Sequence, residues 1–162
     1  MRDRITARVL LFDAQNRILL MKARLPSAPE GIGAWFTVGG GVEPGESLVQ
    51  AALREVAEET GLAEVALGPV VWLREAVLAL EDGEAVLFKE SYLVARCPGG
   101  EPSRAGWQAL EHAMVDDMRW WTLAELAATD EPVYPEGLSA LLGDIAAGCY
   151  PPRPVSITVR RG

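Results

Sequence analysis

The chain has 162 residues, a formal net charge of −8 and a sequence pI near 4.7. Its length predicts one domain, residues 1–162, with enough material for a sizeable core. The acidic balance argues against nucleic acid polymers and anionic membranes as partners. A small anionic substrate is compatible with this charge, provided that a metal cation mediates the contact.

Targeting and redox signals are sparse. No apolar run reaches the ~18 residues of a membrane span. The charged N-terminus is followed only by the short apolar run at residues 9–12, so we expect no signal peptide. Cys97 and Cys149 stand apart without a CxxC motif, which predicts two reduced thiols rather than a disulfide framework or a zinc site. A cytoplasmic location follows as the expectation.

The first predicted elements are strands. Residues 5–12 and 18–22 are rich in apolar and β-branched side chains, and a turn separates them at residues 13–16. Residues 25–33 hold two prolines and two glycines, which indicates a loop. Residues 35–38 form a short predicted strand that enters the glycines at 39–41. A helix is predicted next, over residues 48–60.

The second half of the chain mixes strands and helices. Residues 65–80 predict one or two strands with Pro69 near a boundary, Asp82-Gly83 predicts a hairpin turn, and residues 85–96 form the returning strand. A loop follows at 97–106. Residues 120–128 predict a strand that becomes a helix, with Thr122 as N-cap, and residues 137–147 a further helix before Gly148. A last strand is predicted at 155–159. This mixture indicates an α/β or α+β fold with a mixed sheet.

Both ends of the helix over residues 48–60 carry signals. Ser47 and Gln50 form a capping box, and Gly61 suits the left-handed position after the last turn. At 100° per residue one side of the helix is apolar, and we expect it to be the buried face. Its members are Val49, Leu53, Val56, Ala57 and Thr60. The opposite side carries the glutamates.

Those glutamates stand at positions where negative charge destabilises a helix. Glu55, Glu58 and Glu59 stand at contact spacing, so like charges repel there. Glu58 and Glu59 also lie in the last turn, where the helix dipole disfavours anions. A solvated helix face is one interpretation. The other is a hard divalent cation such as Mg²⁺, which prefers oxygen ligands.

The spacing of this segment supports the second interpretation. Gly40, Glu46, Arg54-Glu55-Val56, Glu58-Glu59 and Gly61-Leu62 match GX5EX7REUXEEXGU, with U aliphatic, at all seven fixed and both aliphatic positions. The segment at residues 40–62 thus resembles the Nudix box. Weaker resemblance in Trp35-Phe36 and in "RWWTLAEL" (residues 119–126) extends it to the whole chain. The resemblance implies an α/β/α sandwich with the box as loop–helix–loop.

The resemblance also implies an activity and roles for the residues. Nudix hydrolases cleave nucleoside diphosphates linked to another moiety and require a divalent cation, usually Mg²⁺, with Mn²⁺ as a substitute. By resemblance, Glu55, Glu58 and Glu59 are the metal ligands, and the Gly39 carbonyl is a further candidate. Glu46 and Arg54 would orient this cluster, while Gly40 and Gly61 supply backbone freedom.

The general base is left open between the box residue Glu55 and Glu111, which we place on a later loop. Asp116 and Asp117 compete with Glu111, and the lone histidine, His112, stands beside it. A solvated surface position is the alternative interpretation for both Glu111 and His112.

Substrate preference is weakly encoded. Family signals for ADP-ribose, dinucleoside polyphosphates and coenzyme A are absent, which favours a nucleoside triphosphatase of the MutT type. Hydrolysis of ADP-ribose, nucleotide sugars or dinucleoside polyphosphates is the alternative.

Three residues are candidate substrate contacts: Trp35, Trp107 and Arg74. Core packing of the tryptophans and a salt bridge of the arginine are the simpler explanations. A nucleotide sensor without catalysis is a third hypothesis, which the complete box disfavours. A homodimer is compatible with the family.

Overall fold

The computed structural model describes residues 1–24, 31–79 and 82–158. Of the predicted loop at residues 25–33, only residues 31–33 fall within these ranges, and Val159 of the last predicted strand lies outside them.

Strands account for most of the described secondary structure. They are β1 (Arg2–Phe12), β2 (Ile18–Ala23), β3 (Ala34–Gly41), β4 (Ala66–Ala79), β5 (Ala85–Arg96), β6 (Val115–Trp121), β7 (Val133–Tyr134) and β8 (Val155–Ser156). The helices are α1 (Leu48–Thr60), α2 (Ala109–Met114), α3 (Leu123–Ala128) and α4 (Leu138–Ala146). Among the described residues no helix combines the length and the hydropathy that crossing a membrane would need.

The strands form a mixed sheet with helices on both faces. Seven strands follow the order β6-β2-β3-β1-β5-β4-β8, and β7 pairs with β3. β1 and β5 are parallel, whereas β1 with β3 and β4 with β5 are antiparallel. Alternate residues of β1 face opposite sides: Val9 and Leu11 pack with α1, and Leu10 and Phe12 pack with α3 and α4. The predicted mixed fold is confirmed.

The single strand at residues 65–80 agrees with the prediction of one or two strands, whereas the predicted end of the strand at residues 35–38 is wrong. Residues 65–80 contain a single long strand, β4, in which Pro69 lies at a register shift between Leu67 and Val70. Proline has no N–H to give to the ladder, so an irregularity is where a strand tolerates it. The glycines at 39–41 belong to β3 rather than to a loop.

Helix α1 begins and ends where its caps predict. The Ser47 hydroxyl accepts the Gln50 N–H at 3.1 Å, and the Gln50 side chain accepts the Ser47 N–H at 2.9 Å. Gly61 adopts φ 66°, a left-handed conformation that glycine takes without the steric cost of a Cβ. Its N–H donates to the Ala57 carbonyl at 3.1 Å.

The predicted buried face of α1 is wrong for three of its five members. Val49 and Leu53 are 50% and 42% exposed, and Ala57 is exposed as well. The buried side chains are Ala51, Ala52, Val56, Glu59 and Thr60. The small alanines let this side of the helix approach the sheet closely, so that Glu55 and Glu59 turn toward the protein while Glu58 stays exposed.

This orientation predicts a contrast between two truncations. Val56→Ala removes buried methyl groups from a side chain that is 1% exposed, and we expect a loss of about 2 kcal/mol. Leu53→Ala removes more atoms from a half-exposed position and should cost at most about 1 kcal/mol. Urea unfolding of both variants measures this difference. A larger loss for Leu53→Ala would mean that α1 packs through its apolar side.

Candidate functional site

Arg54 joins helix α1 to the chain that precedes it. Its Nε and Nη2 atoms donate to the two carboxylate oxygens of Glu46 at 2.7 and 2.9 Å, a bidentate pair. Nη2 also donates to the Gly41 carbonyl at 2.9 Å. Nη1 donates to Glu55 at 3.1 Å and to Glu58, one turn further along the helix, at 3.2 Å. One guanidinium group therefore fixes three carboxylates and the end of β3.

The electrostatics of this network keep both partners ionised. Hydrogen bonds from Arg54, helped by the backbone N–H of Glu43, lower the pKa of Glu46 to about 2. In turn the Glu46 carboxylate raises the pKa of Arg54, with smaller contributions from Glu55 and Glu43. Glu46 is therefore an anion at any physiological pH, and it holds Arg54 in place.

Glu59 is a buried carboxyl group beside another carboxylate. It is 6% exposed, and burial together with hydrogen bonding to Glu55 and the Glu55 charge raises its pKa well above the ordinary value. Arg8 opposes this shift, and Glu111 adds to it. A buried acidic pair of this kind needs either a shared proton or a cation.

Of two neighbouring glycines, Gly40 makes room for this pair and Gly39 for the backbone of β1. A Cβ on Gly40 would lie 2.6 Å from Oε1 of Glu55, so any side chain there would displace the carboxylate. Gly39 has φ 134°, and a Cβ there would lie 2.1 Å from the Ala7 carbonyl. The Gly39 carbonyl accepts a hydrogen bond from Nη1 of Arg8 at 3.2 Å.

A cavity of about 340 Å³ opens over these groups. Its walls bring together three predicted site residues, Gly39, Glu59 and Glu111. Glu111 lies on helix α2, not on the loop that the sequence predicted. A second cavity of about 130 Å³ shares five lining residues with the first, namely Arg8, Phe36, Thr37, Leu78 and Phe88. The two cavities therefore form one cleft.

The three predicted substrate contacts have different surroundings. Trp35 is 3% exposed and packs edge-on against Trp121 at 5.1 Å, so it belongs to the core and not to a ligand surface. Trp107 is 7% exposed, and its indole N–H donates to the Glu59 carbonyl at 2.6 Å. Arg74 lines the smaller cavity, where it forms an ion pair with Glu90.

Arg8 and Glu90 were missed by the sequence reasoning. Nε of Arg8 lies 3.0 Å from Oε2 of Glu90, which stands 82 residues later on the neighbouring strand β5. Burial alone would lower the pKa of Arg8, but Glu90, Tyr92 and Glu59 outweigh it and raise the pKa. An arginine inside the apolar segment "ITARVLLF" was the available signal, since buried charges are rare without a partner.

The donor groups fit a hard divalent cation in type. Glu55 and Glu59 adjoin each other and supply carboxylate oxygens, the ligands that Mg²⁺ prefers. The Glu58 side chain is 45% exposed and is held by Arg54. Over the ranges that the structure describes, no three carboxylate, histidine or cysteine groups are gathered around one point.

Known proteins share this fold. A MutT NUDIX hydrolase from Burkholderia pseudomallei is 24% identical, with 87% of this chain and 97% of that chain covered and a TM-score of 0.57. The MutT protein from Methanosarcina mazei Go1 is 19% identical, with 91% and 95% covered and a TM-score of 0.62. An ADP-ribose pyrophosphatase from Streptococcus suis 89-1591 is 17% identical, with 96% and 98% covered and a TM-score of 0.60. At these identities the likeness shows the fold alone.

Sequence comparison goes further. The chain is 31% identical over 112 residues to Nudix hydrolase 4 of Arabidopsis thaliana, covering 67% of this chain and 54% of that protein. The chain thus spans about half the length of this curated relative. The NUDIX domain model matches residues 2–141, which include the whole carboxylate network and the cleft. The chain belongs to the NUDIX family.

Proposed function

We propose that this chain hydrolyses the pyrophosphate bond of a nucleoside diphosphate linked to another moiety, with Mg²⁺ as cofactor and nucleoside triphosphates as the preferred class. The convergence of Gly39, Glu59 and Glu111 in one cleft that also holds Arg8 supports this function. Carboxylates at one end and a guanidinium beside them suit a substrate whose phosphates are bound through a cation.

The metal would be held by the carboxylates of α1. Glu55 and Glu59 are already adjacent, Glu58 is one turn from Arg54, and Gly39 lines the same cleft. When bound, Mg²⁺ or the substitute Mn²⁺ neutralises phosphate charge and makes a coordinated water more acidic. Nudix hydrolases generally use divalent metal ions, which agrees with this donor set.

The chain's own groups supply positioning and a base. Arg54 keeps Glu55 and Glu58 oriented through Nη1, while its bond to Glu46 prevents the guanidinium from turning away. Glu111 and Glu55 are the candidate bases for the attacking water. We favour Glu111, because it lines the cleft and does not form the hydrogen bond that ties Glu55 to Arg54.

The smaller cavity of the cleft suits the nucleoside of the proposed substrate. Phe36 and Tyr134 stack at 5.5 Å, with an angle of 15° between their rings, and Phe88 lies on the same cavity. Aromatic and apolar walls with few polar groups are typical of sites for planar ring systems. Arg74 and Arg8, both paired with Glu90, supply the polar contacts there.

A substrate panel tests this proposal. Nucleoside triphosphates, including oxidised ones, should release phosphate or pyrophosphate with Mg²⁺ and stop doing so with EDTA. ADP-ribose, nucleotide sugars and dinucleoside polyphosphates in the same panel test the alternative substrates. Tight Mg²⁺-dependent nucleotide binding without turnover of any compound would contradict hydrolysis and indicate a nucleotide sensor.

Substitution of Glu58 tests the metal ligands. We expect Glu58→Gln to lower turnover by at least about 100-fold, because even partners of metal ligands contribute about 10–100-fold. Thermal unfolding of the metal-free variant should be nearly unchanged, since exposed ion pairs contribute about 0–1 kcal/mol.

Glu43→Gln is the matched control for that variant. Glu43 also pairs with Arg54, at 3.8 Å, but is 67% exposed and stands outside the carboxylate cluster. It should keep near wild-type turnover. Equal losses in both variants would assign the effect to Arg54 pairing rather than to metal binding.

A further inference from the structure

The loop after β5 contacts backbone carbonyls in the last turn of α1. The indole N–H of Trp107 donates to the Glu59 carbonyl at 2.6 Å, and the Ser103 N–H donates to the Thr60 carbonyl at 2.6 Å. A Cβ on Gly106 would lie 2.6 Å from the Glu58 carbonyl, so the two backbones touch. Carbonyls of a last helical turn lack partners within the helix, and this loop supplies them.

Trp107 also contacts the helix that carries Glu111. Its ring packs against His112 of α2, with centroids 5.4 Å apart and an angle of 53° between the rings. The next residue, Gln108, is the N-cap of α2, and its N–H donates to the Glu111 side chain at 3.1 Å. Trp107 is therefore in contact with both carboxylate-bearing helices, α1 through a hydrogen bond and α2 through its ring.

The two helices bring their carboxylates to one cavity, which Glu59 and Glu111 both line. The C-terminal end of α2 is held beside β2, because the Arg24 N–H donates to the Met114 carbonyl at 3.0 Å. At the N-terminal end of α2, beside Glu111, Trp107 makes the contact with α1. Trp107 is therefore placed to fix the separation of Glu59 and Glu111.

We propose that Trp107 is a positioning residue that sets the separation of Glu111 from the α1 carboxylates in the cleft. The inference rests on the proposed function, and it assigns Trp107 a role different from substrate contact. In this role the indole N–H fixes α1 and the ring fixes α2, so loss of the N–H alone lets one helix move relative to the other.

Trp107→Phe is the test, and Trp120→Phe is its matched control. Trp120 also donates its indole N–H to a carbonyl of this loop, that of Gly100 at 2.8 Å, but no contact with Glu59 or α2 is involved in that bond. We expect Trp107→Phe to lower kcat about 10- to 100-fold with little change in KM, because small displacements of catalytic groups have such effects. Trp120→Phe should keep kcat within about twofold of wild type.

A double-mutant cycle separates positioning from general destabilisation. In a Glu111→Gln background, Trp107→Phe should lower kcat by less than about twofold, because the group that it positions is already inactive. An equal loss in both backgrounds would overturn the proposal, and so would a Glu111→Gln variant with wild-type kcat.

Hydrogen exchange gives a readout that needs no turnover. The amides of α2 should exchange faster in Trp107→Phe than in wild type or Trp120→Phe, since α2 would lose its contact with α1. Unchanged exchange in α2 would overturn the proposal even if no substrate were found. Wild-type protein that hydrolyses nothing would instead refute the proposed function, while the exchange experiment would still decide the role of Trp107.

Discussion

The fork of hydrogen bonds around Arg54 is the interaction on which the site depends. One guanidinium holds Glu46 through both oxygens, the end of β3 through the Gly41 carbonyl, and the helix carboxylates Glu55 and Glu58. Without this cation, the acidic last turn of α1 would repel itself and oppose the helix dipole. An arginine suits the position because its rigid planar fork of donors matches both oxygens of Glu46 and still reaches other acceptors, a geometry that a lysine does not offer.

Close approach of helix and sheet is the second constraint. Ala51 and Ala52 are fully buried against β1 and β3, and Gly40 leaves space for the Glu55 carboxylate. Glu55 and Glu59 therefore turn toward the protein while Glu58 stays exposed, and Glu59 is buried beside the cleft instead of being hydrated. A carboxyl pair in that environment favours a bound cation, which accounts for the concentration of negative charge in an acidic chain.

Local signals in the sequence predicted local structure well. The bounds of α1 follow from Ser47, Gln50 and Gly61, and Thr122 caps α3 as expected, because side-chain caps act within a few residues. The buried face of α1 could not be predicted from its apolar residues, because the small side chains of the alanines allow their side of the helix to approach the sheet most closely. The pairing of Arg8 with Glu90, and of Trp107 with the Glu59 carbonyl, joins residues distant in sequence, so no local pattern encodes them.

Location of a bound cation tests the central claim most directly. Crystals soaked in Mn²⁺ should show an anomalous peak at bonding distance, about 2.0–2.3 Å, from the carboxylates of Glu55 and Glu59, with Glu58 released from Arg54. That result would establish the last turn of α1 as the metal site. Absence of a peak there at saturating Mn²⁺, or a peak away from these carboxylates, would contradict the account.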